Sequence, residues 1–180
     1  MRNPAPKIAL RKIYAKLLKE FGPQRWWPAQ TKFEVIVGAI LTQNTNWGNV
    51  EKAIHRLKAA GVLSERALRD IPVTKLAMLI KPAGYFNVKA RRLKNFMRFL
   101  FDGYDGSLKA MGREDGHHLR QKLLTVNGIG PETADAILLY ACGKTVFVVD
   151  AYTKRIFYRH NIVSEAVDYH GLQKVITDHL

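Results

Sequence analysis

Apolar residues recur with a helical period along almost the whole chain. Residues 32–42 are apolar nearly all round, which predicts a central buried helix, whereas the neighbouring segments have one apolar and one polar face. Proline and glycine separate these segments, and Ser64 and Thr74 each stand where a short helix would begin. The pattern predicts longer helices at about 7–21, 32–42, 46–60, 87–101, 116–125, 131–142, 151–160 and 168–179.

Two segments interrupt this helical pattern. Residues 102–116 are polar and rich in glycine, so we expect a loop with at most one helical turn. Residues 145–149, Thr-Val-Phe-Val-Val, are strand-like, but the sequence offers no partner strand, so we expect a buried extended connector. The pattern as a whole predicts an all-α protein of one domain or two small lobes, with short connections.

The chain carries a large excess of positive charge: 29 Lys and Arg against 15 Asp and Glu among 180 residues, a net charge of +14. Such an excess favours a polyanionic partner, and nucleic acid is a better interpretation than an acidic protein or a membrane surface. No stretch approaches the roughly 20 apolar residues that span a bilayer, and no segment has the pattern of a signal peptide. We therefore expect no membrane association.

Metal and disulfide chemistry find little support in the sequence. Cys142 is the single cysteine, so the chain can form no internal disulfide, and no iron–sulfur cluster is possible within these 180 residues. We interpret Cys142 as a packing residue at the end of a buried helix. The pair His117-His118 is a weak metal candidate, because adjacent histidines on a helix point in different directions and no carboxylate set accompanies them. We predict no metal site.

The segment 126–138, Val-Asn-Gly-Ile-Gly-Pro-Glu-Thr-Ala-Asp-Ala-Ile-Leu, carries the strongest functional signal. Gly128 and Gly130 permit backbone angles that other residues avoid, Ile129 can pin the turn into the core, and Pro131 suits a helix start. Two glycines leave backbone N–H groups bare beside a helix N-terminus, where they can bind a phosphate. A tight turn between helices is the alternative, and the positive charge of the chain favours phosphate binding.

Asp150 follows Val148-Val149 and precedes a helical pattern, 20 residues after Gly130. An aspartate in such a position is, by itself, an ordinary helix N-cap. A capping role is compatible with catalysis, because a cap holds the carboxylate rigidly.

The pattern hydrophobic-x-Gly-hydrophobic-Gly-x-x-x-Ala, with Asp150 at this spacing, resembles the helix-hairpin-helix of the endonuclease III superfamily of DNA glycosylases. The resemblance runs from about residue 26 to residue 160. It implies two helical lobes with a cleft between them: residues 30–142 as a six-helix lobe that ends in the hairpin motif, and residues 1–29 with 143–180 as a lobe formed by both termini. It also implies a shortened C-terminal part, because chains of this superfamily usually continue through a further helix.

The resemblance assigns the catalytic role to Asp150, whose carboxylate would stabilise an oxocarbenium-like sugar and orient a water at a flipped nucleotide. Superfamily members that also cut the strand use a lysine two residues after the second glycine, which forms a Schiff base with the sugar. Glu132 stands at that position here. We therefore expect base removal without strand cleavage, and no cofactor requirement.

Tryptophans and amides point to one branch of the superfamily. The stretches Trp26-Trp27-Pro28 and Gln43-Asn44-Thr45-Asn46-Trp47 resemble the 3-methyladenine DNA glycosylases, in which the corresponding residues line the base pocket. An aromatic pocket suits a positively charged base such as an alkylated purine, through cation–π attraction. The predicted base pocket comprises Trp26, Trp27, Pro28 and Trp47.

The remaining predicted site residues contact DNA. Gln43 and Asn44 correspond to residues that fill the gap left by the flipped base, although polar residues at a helix end are also ordinary caps. Lys89 and Arg91, with Arg92, follow a Gly/Pro turn and could reach phosphates, or form a solvated helix face. The hairpin contributes Gly128, Ile129, Gly130 and Thr133.

We expect a monofunctional glycosylase that acts on double-stranded DNA containing a damaged base, with an alkylated purine such as 3-methyladenine as substrate. Two alternatives remain: a glycosylase for mismatched or oxidised bases, and a non-catalytic DNA-binding module. We further expect a monomer in the prokaryotic cytosol, associated with the nucleoid.

Overall fold

The computed structural model describes residues 6–24 and 27–179, and these residues form helices and connections without any strand. The prediction of an all-α fold is confirmed. The helices are α1 (Pro6–Phe21), α2 (Lys32–Leu41), α3 (Trp47–Ala59), α4 (Glu65–Asp70), α5 (Val73–Leu79), α6 (Phe86–Tyr104), α7 (Leu108–Arg113), α8 (Gly116–Thr125), α9 (Pro131–Ala136), α10 (Ala151–Arg159) and α11 (Tyr169–Thr177), with a 3-10 turn at Lys81–Ala83 and a π-helical segment at Ile137–Ala141.

The chain divides into two compact units. One comprises Ala29–Val146, and the other comprises Met1–Pro28 with Phe147–Leu180. In the first unit, α2 is the central helix: every residue from Phe33 to Leu41 is buried, as the continuous apolar run predicts. It packs against α3, α6, α9 and the π-helical segment, so the hairpin at the start of α9 is built directly onto the core of this unit.

Side-chain caps fix several helix starts. The Oγ1 of Thr31, the Oδ1 of Asn46 and the Oδ1 of Asp115 accept backbone N–H bonds at the starts of α2, α3 and α8. The predicted start at Thr74 is wrong by one residue. The helix α5 begins at Val73 because Pro72 occupies the capping position, where its fixed φ of −57° precedes the first helical turn.

The loop expected at residues 102–116 is shorter than predicted. The helix α6 continues through Gly103 and ends at Tyr104, because Asp105 and Gly106 both adopt left-handed angles, with φ of 53° and 75°. The Oγ of Ser107 then caps α7 by accepting the N–H of Ala110. A helix of six residues therefore lies within the expected loop, and α6 takes up its first three residues.

The helix expected at 131–142 has two parts. After α9, the backbone widens into a π-helical segment, where Cys142 donates its N–H to the Ile137 carbonyl over 3.0 Å, five residues back. Cys142 is half-buried, and burial raises the pKa of its thiol, which fits a packing role.

The second unit contains α1, α10 and α11. Its small core is formed by Val149, Leu172 and Ile176, with partly buried apolar neighbours such as Phe157. The connector at 145–149 is less buried than predicted: within it, only Val149 is buried. The helix α10 has no buried residue.

Within the described part of the chain, no helix is both long and apolar enough to cross a bilayer.

Candidate functional site

The turn between α8 and α9 is anchored by one apolar side chain. Ile129 is buried, and its N–H donates to the Val126 carbonyl over 2.9 Å, which closes the turn. The prediction that the side chain of Ile129 anchors the hairpin in the core is confirmed. The backbone on either side of Ile129 is thereby held at the surface of the first unit.

The two hairpin glycines serve different purposes. Gly128 has φ of +96°, and a Cβ there would lie 2.2 Å from the Cγ of Arg92, so both its angle and its surroundings require glycine. Gly130 has φ of −92° and ψ of 179°, an extended conformation open to any residue, which corrects the expectation of a special angle. A Cβ at Gly130 would meet open space. Its missing side chain leaves the backbone uncovered rather than relieving strain.

Backbone donors remain available at this corner. Among the described residues, the N–H groups of Gly128 and Gly130 have no hydrogen-bond acceptor, and Gly130 is exposed. Both N–H groups stand directly before α9, where the helix dipole adds positive potential. The geometry can accept an anion such as a phosphate.

Gln43 reaches the hairpin from the end of α2. Its Nε2 donates to the Gly128 carbonyl over 3.0 Å and to the Thr133 Oγ1 over 2.9 Å, while its Oε1 accepts from the Arg92 guanidinium. The structure therefore brings the predicted residues Gln43, Gly128 and Thr133 together. The engaged amide of Gln43 thus connects the end of α2 to the hairpin, and its gap-filling role stays a prediction. The exposed Asn44 lies beside it with φ of 53°.

The prediction that Lys89 contacts DNA phosphates is wrong. Lys89 is 1% exposed, and its Nζ donates to the carbonyls of Leu41 (2.9 Å) and Ala83 (2.7 Å). Burial and the neighbouring Arg92 guanidinium lower the pKa of Lys89 to about 8. The sequence suggested a solvated basic face, but the first turns of α6 meet two chain segments whose carbonyls need donors. Arg91 is exposed, where a phosphate contact stays a prediction.

An ion pair that the sequence reading missed joins the two hairpin helices. The Asp135 carboxylate is fully buried and accepts two bonds from Arg120, Nε to Oδ1 at 2.6 Å and Nη2 to Oδ2 at 3.1 Å. A bidentate pair of this kind fixes the angle between α8 and α9. Its signal was the single acidic residue inside an otherwise small and apolar stretch, 134–138.

Glu132 stands in the first turn of α9 and is exposed. The two lysines nearest to the motif in sequence lie against residues outside it. The Nζ of Lys122 bonds to Glu114, and the side chain of Lys144 lies against Gly116 at the start of α8.

Asp150 belongs to the second unit and caps α10. Its Oδ1 accepts the N–H of Thr153 over 2.7 Å and the Oγ1 hydroxyl of Thr153 over 2.7 Å. The side chain is half-buried, and Oδ2 accepts no bond from the described residues. The carboxylate is thus fixed through one oxygen and open at the other.

The predicted pocket residues are distributed over the two units. Trp26 lies outside the described residues. Trp27 is half-buried and Pro28 is exposed in the unit that contains Asp150. Trp47 begins α3 in the first unit, where its half-buried ring donates Nε1–H to the Glu51 carboxylate over 2.9 Å. Across the described residues, no group of three or more His, Cys, Asp or Glu side chains forms a potential metal site.

Comparison with known proteins places this arrangement in a class. Residues 37–177 match the family described as HhH-GPD superfamily base excision DNA repair protein. A protein of Methanocaldococcus jannaschii that is described as a DNA repair glycosylase is 48% identical over 171 residues, which cover 94% of this chain and 77% of that protein. The chloroplastic endonuclease III homolog 1 of Arabidopsis thaliana is 31% identical over 76% of this chain, which spans only 34% of that relative.

Solved structures agree with the sequence comparison. The H. pylori 3-methyladenine DNA glycosylase MagIII, bound to 1,N6-ethenoadenine, superposes with a TM-score of 0.83 at 33% identity, over 98% of this chain and 82% of that one. A non-covalent endonuclease III–DNA complex has a TM-score of 0.82 at 20% identity, over 100% and 79%, which supports the fold alone.

The chain belongs to the HhH-GPD superfamily of base excision DNA repair proteins. Within it, the chain is a DNA repair glycosylase.

Proposed function

We propose that this glycosylase is monofunctional: it flips a damaged base out of double-stranded DNA and hydrolyses the N-glycosidic bond without cutting the strand. We further propose an alkylated purine such as 3-methyladenine as the substrate. The enzyme would act as a monomer in the prokaryotic cytosol, at the nucleoid, and would need no cofactor. The observation that carries the proposal is Asp150, which is fixed through one carboxylate oxygen and open at the other.

The hairpin binds the DNA backbone. The N–H groups of Gly128 and Gly130 bind a backbone phosphate, and the space that a side chain at Gly130 would fill lets the phosphate approach. The net charge of +14 adds a sequence-independent attraction to the duplex, and the exposed Arg91 contributes to it.

Asp150 supplies the chemistry. The bond between C1′ and the base nitrogen breaks with its electron pair leaving on the base, so a cationic alkylated base departs neutral. The Oδ2 of Asp150 faces the oxocarbenium-like sugar and accepts a proton from the water that adds to C1′. A base that is already positively charged leaves readily, so no strong general acid is needed.

Glu132 supports the absence of strand cleavage. A carboxylate cannot form the Schiff base that an amine at this position would form. The engagement of Lys122 with Glu114 leaves that lysine poorly suited as a substitute.

Two observations favour an alkylated purine. MagIII, at 33% identity, is a 3-methyladenine DNA glycosylase and was solved with 1,N6-ethenoadenine. The chain also has three tryptophans, and the residues around Trp27 and Trp47 follow the pattern of that branch. Aromatic faces attract a cationic base through its charge.

A panel of single-lesion duplexes tests the proposal. Free base is measured by chromatography, and strand integrity is measured on gels before and after heating in alkali. We expect release of 3-methyladenine, with strands that break only after alkali. Release of thymine or uracil instead would favour the alternative of a mismatch glycosylase, since thymine/uracil-DNA glycosylases are 26% and 28% identical relatives. Binding without any product would favour the non-catalytic module.

A further inference from the structure

Side chains of α6 contact three loops of the unit Ala29–Val146. These loops are the loop 42–46 after α2, the loop 83–85 before α6, and the hairpin loop 127–130. The first two carry exposed side chains on left-handed backbone: Asn44 with φ of 53° and Tyr85 with φ of 45°, which is 71% exposed. Tyrosine avoids this conformation unless its surroundings impose it, whereas asparagine adopts it at little cost. The left-handed Tyr85 therefore indicates that contacts hold loop 83–85 in place.

The side chain of Lys89 contacts both the loop 42–46 and the loop 83–85. Its Nζ donates to the Leu41 carbonyl, directly before loop 42–46, and to the Ala83 carbonyl, the first residue of loop 83–85. One nitrogen lies within 2.9 Å of both carbonyl oxygens. The two loops are therefore held next to each other at this nitrogen. The ammonium is inaccessible at 1% exposure, so it acts only through these carbonyls.

Asn95 and Arg92, also on α6, contact the hairpin loop. Asn95 lies six residues beyond Lys89 on α6, and its Nδ2 donates to the Asn127 carbonyl over 3.0 Å. Between them, the stem of Arg92 packs over Gly128 and its guanidinium bonds to Gln43. One helix thus contacts all three loops.

A second lysine of α6 offers a matched comparison. The Nζ of Lys94 donates to the carbonyls of Leu68 (3.0 Å), Arg69 (2.6 Å) and Ile71, at the end of α4. Like Lys89, it is an ammonium that satisfies carbonyls at a helix end, but among the described residues it donates no hydrogen bond to the three loops.

We propose that Lys89 and Asn95 are positioning residues: Lys89 sets loops 42–46 and 83–85 relative to each other, and Asn95 sets the hairpin loop. The inference rests on the proposed function. Two residues of α6 would then affect different parts of DNA recognition. Lys89 governs the loops that carry the exposed Asn44 and Tyr85, of which Asn44 belongs to the predicted gap-filling pair, and Asn95 governs the hairpin loop with its phosphate-binding N–H groups.

The test compares Lys89→Met, Asn95→Ala and the control Lys94→Met. For each variant we measure the melting temperature, the affinity for an undamaged duplex, the affinity for the same duplex with one lesion, and kcat and KM for base release. Lys89→Met should lose about fivefold or more of its preference for the lesion duplex, and its kcat should fall, while its affinity for undamaged DNA stays. Asn95→Ala should weaken binding to both duplexes equally and raise KM. Lys94→Met should lower the melting temperature alone.

A measurement on the wild type covers the case in which Lys89→Met does not fold. Amide hydrogen exchange in segments 42–46 and 83–85 should slow together when the lesion duplex binds, because both segments share one anchor. Slowing in only one segment would overturn the proposal, as would Lys89→Met or Asn95→Ala variants that behave like Lys94→Met. A wild-type protein without base release on any duplex would instead overturn the proposed function.

Discussion

The hairpin is held by side chains from distant parts of the chain, whereas Asp150 is held by a residue three positions away. Gln43 reaches Gly128 across 85 residues and Asn95 reaches Asn127 across 32, while both bonds to Asp150 come from Thr153. The hairpin therefore depends on the packing of its whole unit, and the carboxylate depends on one helical turn. We expect changes at the packed positions of the hairpin, such as Gly128, to alter stability and DNA binding together, and changes at Asp150 to alter chemistry with little effect on the fold.

The largest effect should follow from Asp150→Asn. Asparagine caps helices as well as aspartate and has nearly the same volume, so the melting temperature should stay within a few degrees. Base release in single-turnover reactions should fall by about 10²–10³-fold, because the charge opposite the developing cation is lost. A variant that retains activity, or one that unfolds, would contradict the separation of the two regions.

Lys89 should make the stability of the hairpin unit depend on pH. Its pKa is about 8 in the folded protein and ordinarily 10.5, so below pH 8 both states hold the proton and the folded state bears the burial penalty. Between those values the folded protein releases the proton while the unfolded chain keeps it. The free energy of unfolding should therefore rise through this window, by up to about 3 kcal/mol.

Urea unfolding of the wild type and Lys89→Met, compared from about pH 7 to 10.5, isolates this effect from other titrating groups. The difference between the two proteins should shift in favour of the wild type as the pH rises. A difference that does not change with pH would show that Lys89 keeps the same charge in both states.

The two hairpin glycines separate stability from binding. Gly128→Ala should destabilise the protein by about 1–3 kcal/mol, because its φ of +96° and the nearby Arg92 side chain exclude a Cβ. Gly130→Ala should leave the melting temperature unchanged and still weaken DNA binding, since its methyl group projects into open space in front of the bare N–H groups. Equal melting temperatures for the two variants would contradict the different purposes assigned to these glycines.

The smallest effect should come from Thr153→Val. This change removes the hydroxyl bond to the Asp150 Oδ1 and leaves the backbone N–H bond in place. Loss of one hydrogen bond should lower the rate of base release about fivefold, with unchanged affinity for the lesion duplex. Thr177→Val, at the end of α11 in the same unit, is the control and should retain full activity.

The features that sequence could predict are those that depend on neighbours in the chain. Helical periodicity predicts the all-α fold. The segment 126–131 predicts a turn held by the buried Ile129, and the position of Asp150 before a helix predicts its capping role. Each of these follows from a few consecutive residues.

The errors arose where packing between distant segments decides the outcome. Nothing around Lys89 in the sequence shows that α6 meets the carbonyl ends of two other segments, so its burial was missed. The Arg120–Asp135 pair was missed for the same reason, because the two residues are 15 positions apart on different helices. The engagement of Gln43 with the hairpin also depends on the packing of α2 against α9.

The most direct test measures single-turnover base release from one lesion duplex against enzyme concentration, for the wild type, Asp150→Asn and Gly130→Ala. The maximal rate measures cleavage of the N-glycosidic bond, and the half-saturating enzyme concentration measures the affinity for the lesion duplex. We expect Asp150→Asn to lower the maximal rate alone and Gly130→Ala to raise the half-saturating concentration alone. A lower maximal rate for Gly130→Ala, or an unchanged rate for Asp150→Asn, would contradict the account.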